Sequence, residues 1–383
     1  MEDFVLVVDD EPAVRELLKS QLEYLGYATR STGNAREALA IAISEQPPAL
    51  AMLDIEMPGV SGVDLLKQIK PSNEDVQVVM VSGRHDLPTV RECLRAGAYD
   101  YLAKPFELDD LANTTRRALE RRLLIRQNRE YQQNLERMVR EQVEEIRETR
   151  DMALFTLAKL AETRDSETGL HLERIAAYSR ILAEAVCFGG AHAEADAQWV
   201  ADLTTGSPLH DIGKVAVPDA ILRKPGPLTP EEQAIMRLHT TIGGDTLRSI
   251  LERYDSDQPL LRMAMNIAYS HHERWDGHGY PRGQAGSSIP LAARVVTLAD
   301  AYDALTSVRP YQPAIPHHEA VERIMVDRGR HFDPSIIDCF LACRDRFAEI
   351  QQQMADAEHD SRAHGLNPGM VAARKLESSG SLE

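Results

Sequence analysis

The pattern of apolar and polar positions changes character twice along the chain. Over residues 4–105, short apolar runs ("FVLVV", "ALAML", "VQVVMV") alternate with segments whose apolar positions recur at helical spacing ("AVRELLKSQLEYL", "AREALAIAI", "VRECLRAG"). Strands alternating with helices predict a parallel sheet covered on both faces, the doubly wound α/β class. From Phe106 to Thr168 there is neither glycine nor proline, and good helix formers dominate. As one helix those 63 residues would span roughly 95 Å, and a mostly polar rod of that length needs a partner in water. Leu124, Tyr131, Leu135, Met138, Val139 and Ile146 form a heptad-like stripe, interrupted by Asn128 and Gln142. The stripe predicts an imperfect parallel coiled coil and hence a homodimer. Beyond it the pattern stays helical to about residue 348, with no convincing strand; residues 349–383 turn polar, and "KLESSGSLE" reads as a flexible or appended linker.

This pattern divides the chain into an α/β domain at 1–122, a helical connector at 106–165 that overlaps its last helix, an all-α domain at 150–348 and a polar tail at 349–383. A length of 383 residues suits two or three cores. With 43% hydrophobic and 27% charged residues and no apolar run of membrane length, membrane insertion is not expected. The acidic start, "MEDFVLVVDDEP", lacks the basic region of a secretory signal, so a cytoplasmic protein is expected. A formal net charge of −17, with no basic recognition helix after the first domain, argues against direct DNA binding. Cys93, Cys187, Cys339 and Cys343 are too scattered for a disulfide framework or a thiolate zinc site.

In a doubly wound sheet, function gathers at the carboxyl ends of the strands. Asp9 and Asp10 follow the first strand, Asp54 ends "LAMLD", Ser82 ends "VVMVS" and Lys104 ends "DYLAKP". Three carboxylates in one crevice repel one another unless a hard cation such as Mg²⁺ neutralises them. Lys104 and the Ser82 hydroxyl would then hold a phosphoryl group on Asp54.

In the helical part, histidines and acids recur where helices begin or end: Glu167 and His171 in "ETGLH", His210 and Asp211 in "LHDIGK", His239 in "MRLHTTIGG", His271 and His272 in "SHHERWDG", and Asp300 in "LADAYDALTS". Glu167 and His171, four apart, would share one face of a helix. Adjacent pairs such as His271-His272 diverge on a regular helix, and so would serve different ions or opposite sides of one cluster. Asp211 is the natural bridging carboxylate. Imidazole and carboxylate without thiolate favour Fe, Mn, Co, Ni or Zn over Ca²⁺ or Mg²⁺. Two such ions would bind both non-bridging oxygens of a phosphodiester, activate a water and support the leaving oxygen. His192, His278, His317, His318, His331 (in "GRHFDP"), His359 and His364 read as structural or exposed.

Residues 1–122 resemble a two-component receiver domain, on Asp9-Asp10, "DIEMPGVSG", Ser82 and Lys104-Pro105. The resemblance implies a five-stranded sheet, Asp54 as phospho-acceptor for a cognate histidine kinase, and Tyr101 as the aromatic switch. Residues 150–348 resemble an HD-GYP domain, the helical branch of the HD phosphohydrolases that degrades cyclic di-GMP, on "RDSETGLH", "LHDIGKVAVPDAILRKPGPLT", "HTTIGG", "HHERWDGHGYP" and "ADAYDALTSVRPY".

That resemblance implies two or three divalent ions, Fe or Mn ahead of Co, Ni or Zn, with Glu167 marking the three-ion form. It implies catalysis centred on Asp211, Lys214 gripping a substrate phosphate, Arg309 contacting phosphates or a guanine, and Gly279-Tyr280-Pro281 shaping the loop beside the site. Gln312 departs from the family, which often has a second basic residue there, and leaves substrate preference open. The expected function is phosphorylation-controlled hydrolysis of cyclic di-GMP to pGpG and GMP. The alternatives are a signalling scaffold that binds metal or nucleotide together with a GGDEF-type or other protein partner, and a hydrolase preferring pGpG or another cyclic dinucleotide.

Overall fold

The computed structural model describes residues 3–83, 87–164, 170–190, 192–255, 257–308, 313–364 and 372, and its contacts divide the chain into two units, Met1–Val143 and Glu144–Glu383. In the first unit, β1 (Phe4–Val8), β2 (Ala28–Thr32), β3 (Leu50–Asp54), β4 (Gln77–Ser82) and β5 (Asp100–Ala103) form one parallel sheet in the order β2-β1-β3-β4-β5. β1, β3 and β4 are buried along their whole length, as their continuous apolar runs require. β2 is an edge strand with alternating exposure, and so "ATRST" can be polar.

Around the sheet lie α1 (Pro12–Tyr24), α2 (Ala35–Ala42), α3 (Gly62–Ser72) and α4 (Leu87–Arg95). Their starts are written in the chain: Pro12 sits in the first turn of α1, Asn34 accepts from the amides of Arg36 and Glu37, and Ser61 accepts from that of Asp64. The strand order reverses between β1 and β3, which opens a crevice at the carboxyl ends of those strands.

α5 (Leu108–Glu162) runs for 55 residues, and the division between the units falls inside it. It starts two residues later and ends six earlier than the glycine- and proline-free stretch allows. Leu124, Tyr131, Leu135, Met138, Val139 and Ile146 are all exposed on the single chain.

The second unit is helical: α6 (His171–Gly189), α7 (Ala197–Gly206), a 3₁₀ segment (Ser207–Ala216), α8 (Asp219–Leu222), α9 (Pro230–Arg253), α10 (Pro259–Ser270), α11 (Leu291–Thr306), α12 (His317–Val326) and α13 (Pro334–His364). Its main core joins α6, α11 and α13, where Tyr178 stacks on Phe347 at 4.8 Å and Tyr302 meets Phe347 edge-on at 5.1 Å. The last helix corrects the expectation of a polar tail from residue 349: Ile350, Met354 and Ala357 are buried in that core, so α13 continues to His364. A second cluster packs the end of α5, through Ala158, onto Leu172, Leu209, Leu247, Ala264 and Ala268. Among the described residues, no helix is long and apolar enough to cross a membrane.

Candidate metal centre

Several helix ends converge in the second unit. His171 opens α6; His210, Asp211 and Lys214 lie on the 3₁₀ segment; His239 is on α9; His271 caps the C-terminus of α10 with His272 next; Asp300 is on α11. The 3₁₀ segment reaches α9 through a glycine contact: a Cβ on Gly213 would lie 2.0 Å from the carbonyl oxygen of His239 and 2.6 Å from the amide nitrogen of Gly243. Both neighbours are backbone, so no rotamer change relieves the overlap. Gly213→Ala is therefore expected to destabilise the chain by about 1–3 kcal/mol and to lower its metal content. Thermal unfolding and elemental analysis check this; wild-type values for both would show that the close approach is dispensable.

The side chains form two groups whose ligand atoms lie within 4.8 Å of one another: Asp211, His239, His271 and His272, and His171, His210 and Asp300. Asp211 links them, with Oδ1 at 3.2 Å from His239 Nε2 and 3.5 Å from His271 Nε2, and Oδ2 at 3.3 Å from His210 Nε2. His271 and His272 fall in one group because the helix ends between Ser270 and His272, so the divergence expected on a regular helix does not apply. Glu167 and Arg309 lie outside the described residues, as does Gln312. His331 is in neither group; its ring stacks on Phe332 at 4.3 Å.

The hydrogen bonds behind the rings fix their tautomers. Nδ1 of His210, His239 and His271 faces the carbonyl oxygens of Ser207 (2.9 Å), Met236 (2.7 Å) and Ile267 (3.1 Å). A carbonyl only accepts, so each Nδ1 carries a proton, and a neutral ring then presents a lone pair at Nε2. Asp303 does the same for His171, its Oδ2 lying 2.8 Å from Nδ1.

The Nε2 atoms of His239 and His271 consequently face each other at 3.4 Å, and the buried Asp211 Oδ1 accepts no hydrogen bond from a described residue. Lone pairs and a carboxylate oxygen pointed at one space call for cations, and the donor set fits nitrogen- and oxygen-binding transition ions. Burial drives His239 down to about 4 and His272 well below the usual imidazole range. Burial also opposes charge on His210, but the adjacent Asp211 carboxylate outweighs it and lifts that ring to about 9, so without a cation its Nε2 holds a proton that a bound cation would displace. Asp211 itself is held well below the carboxylate range, because Lys214 and His210 overcome its burial.

Residues 159–336 match the family model of the HD domain, and residues 5–116 match that of the response regulator receiver domain. Over 369 residues the chain is 38% identical to a probable cyclic di-GMP phosphodiesterase of Vibrio cholerae, covering 94% of this chain and 82% of that protein. It is 34% identical over 375 residues to a cyclic di-GMP phosphodiesterase of Thermotoga maritima, covering 95% and 98%. It is 32% identical over 357 residues to a cyclic di-GMP phosphodiesterase response regulator of Xanthomonas campestris, covering 92% and 91%. The chain belongs to the HD-GYP response regulators. It is accordingly a metal-dependent phosphodiesterase joined to a receiver domain.

In this HD-GYP protein the loop that carries Gly279, Tyr280 and Pro281 folds back on the centre. A Cβ on Gly279 would lie 2.6 Å from the carbonyl oxygen of His272, and that oxygen accepts from the Tyr280 amide at 3.2 Å. The Tyr280 ring stacks on His272 at 4.8 Å, and the exposed Arg237 guanidinium lies 4.8 Å from the Tyr280 ring centre. In the receiver unit, Lys104 Nζ lies 2.7 Å from both Asp9 Oδ2 and Asp54 Oδ1. The Glu56 amide donates to Asp54 Oδ2, and the Tyr101 hydroxyl donates to the Ser82 carbonyl oxygen at 3.4 Å. Burial raises Asp54 above the usual carboxylate range despite Lys104. Asp10 is half-buried beside Asp9.

Three residues that the sequence reading missed support the centre. Asp303 orients His171 and pairs with the buried Arg174, and Glu273 accepts from the amides of Arg282 and Gln284 to hold the loop. Asp303 had a signal: it is one helical turn after Asp300 in "ADAYD".

Proposed function

We propose that the HD unit hydrolyses cyclic di-GMP to pGpG, and more slowly to GMP, at two or three Fe or Mn ions, under control of phosphorylation at Asp54. The observation that carries this reading is the convergence of both ligand groups on Asp211, with the rings oriented from behind to present Nε2. Ions bound there would supply Lewis-acid stabilisation of the phosphodiester and an activated water. In this reading Asp211 bridges the two groups, Glu167 adds a third-ion ligand, and Lys214, whose Nζ is 2.8 Å from Asp211 Oδ2, holds a phosphate oxygen at the edge of the site. Arg309 binds phosphate or guanine. Arg237, exposed over Tyr280, supplies a further cation where Gln312 does not.

Asp9, Asp10 and Asp54 would hold Mg²⁺, whose charge would offset the carboxylates during phosphoryl transfer from a cognate histidine kinase to Asp54, with Ser82 and Lys104 holding the phosphoryl group and Tyr101 responding to it. The exposed stripe from Leu124 to Ile146 pairs two copies in the cytoplasm through α5.

The test is metal content on anaerobically prepared protein, with turnover of cyclic di-GMP, pGpG and a mixed cyclic dinucleotide followed chromatographically on the same sample. Two or three Fe or Mn per chain and release of pGpG are expected. A chelator should abolish turnover and Mn²⁺ should restore it. Beryllofluoride, a phosphoryl mimic at Asp54, should change the rate. Bound metal without turnover of any of the three substrates, with or without the mimic, would replace this reading by a signalling scaffold.

A further inference from the structure

α5 ends on a carboxylate that none of the roles above uses. The Glu162 side chain is 9% exposed, and its Oε2 pairs with Lys159 Nζ at 2.7 Å. Its Oε1 is buried and accepts no hydrogen bond from a described residue. With His171, Asp211 and Lys214, Glu162 lines a cavity of about 10 Å³, the room of one water or one ion. The remaining wall includes Leu172 and Pro208, whose side chains have no proton to give. A buried carboxylate oxygen without a donor is costly, and such atoms in folded proteins point to a missing ion or water.

We propose that Glu162 Oε1 is a ligand of a divalent cation on the His171 side of the metal centre, so that the last turn of α5 is part of the catalytic machinery. This rests on the reading of the second unit as a metal-dependent phosphodiesterase. The acid that the described structure sets beside His171 and Asp211 comes from a helix that starts at Leu108, in the receiver unit. A twist or slide of the final turn of α5 therefore moves a ligand directly, and no intermediate element has to carry the signal.

The test is calorimetric Mn²⁺ titration of the metal-stripped full chain, with elemental analysis of the reloaded protein. Glu162→Gln keeps the shape and removes the charge; it is expected to lose one ion per chain, or to weaken one class of site at least tenfold. Lys159→Ala removes the ion pair but leaves the carboxylate, and is expected to retain the wild-type stoichiometry. If Glu162→Gln binds Mn²⁺ as the wild type does, or if Lys159→Ala loses the ion equally, the proposal is overturned and Glu162 is a structural partner of Lys159. Loss of an ion in Glu167→Gln with none in Glu162→Gln overturns it in favour of Glu167. Should Glu162→Gln fail to fold, Glu162→Asp reads the same site, and unchanged affinity there overturns the proposal. If the wild type itself takes up no ion, the phosphodiesterase reading falls with it, an outcome distinct from the others.

Discussion

Asp211→Ala is expected to lower kcat for cyclic di-GMP by about 10³-fold or more and to leave the chain short of metal. One carboxylate lies within 3.5 Å of three imidazole nitrogens that belong to two different ligand groups. Removing it takes away the link between the groups, leaves His239 and His271 without the carboxylate of their group, and leaves His210 with Asp300 alone of the two carboxylates in the ligand groups. Lewis-acid stabilisation of a phosphoryl transition state is worth several kcal/mol, and about 4 kcal/mol corresponds to the stated factor. The loss should appear in kcat at saturating Mn²⁺, with bound metal per chain falling in parallel. Alanine at a position with 18% side-chain exposure opens little cavity, so the circular dichroism spectrum should stay that of the wild type. A folded, metal-free variant that still cleaved the substrate would remove the metal mechanism altogether.

The parts of the fold that were legible in the chain are those where burial is uniform. β1, β3 and β4 are covered on both faces, so they read as continuous apolar runs, and the acids after β1 and at the end of β3 point to the crevice between them. β2 did not announce itself, because an edge strand with three of its five residues half-buried or buried and two exposed carries little apolar signal. α5 was legible from the lack of glycine and proline, but its end was not: Glu162 precedes Thr163 and Arg164 with no breaker between them. α13 was cut short at 348, although Ile350, Met354 and Ala357 continue a helical spacing that only the core of the second unit makes meaningful.

The candidate ligands were legible as types, since histidines and acids at helix ends are unusual enough to single out. Their partition was not. His210 and Asp211 are neighbours in sequence yet belong to different groups, whereas His271 and His272 share one. That outcome depends on the 3₁₀ segment and on where α10 stops, and neither has a strong local signal. The supporting shell was less legible still, because Arg174, Asp303 and Glu358 come from α6, α11 and α13 and only the fold brings them together.

Asp303→Ala is expected to cost about 3–5 kcal/mol of stability and about 10–100-fold in Mn²⁺ affinity, for two separable reasons. Asp303 has a side chain only 1% exposed and pairs with the Arg174 guanidinium, itself 6% exposed. Without it, a buried cation retains Glu358, at 3.2 Å and a quarter exposed, as its ion-pair partner among the described residues. Breaking one side of a buried pair leaves a charge that the interior cannot solvate, which is why the cost exceeds the net worth of the intact pair. The same carboxylate accepts the Nδ1 proton of His171, so its loss frees that ring to turn and to place its proton on either nitrogen. The two effects part in Asp303→Asn. The amide oxygen can still accept from His171, so Mn²⁺ affinity should recover toward wild type, while the absence of negative charge keeps most of the stability loss. Calorimetric unfolding of the metal-free chain reads the first effect and Mn²⁺ titration the second. Wild-type unfolding of metal-free Asp303→Ala would show that Arg174 is neutralised without Asp303, and wild-type Mn²⁺ affinity would show that His171 needs no orientation from behind.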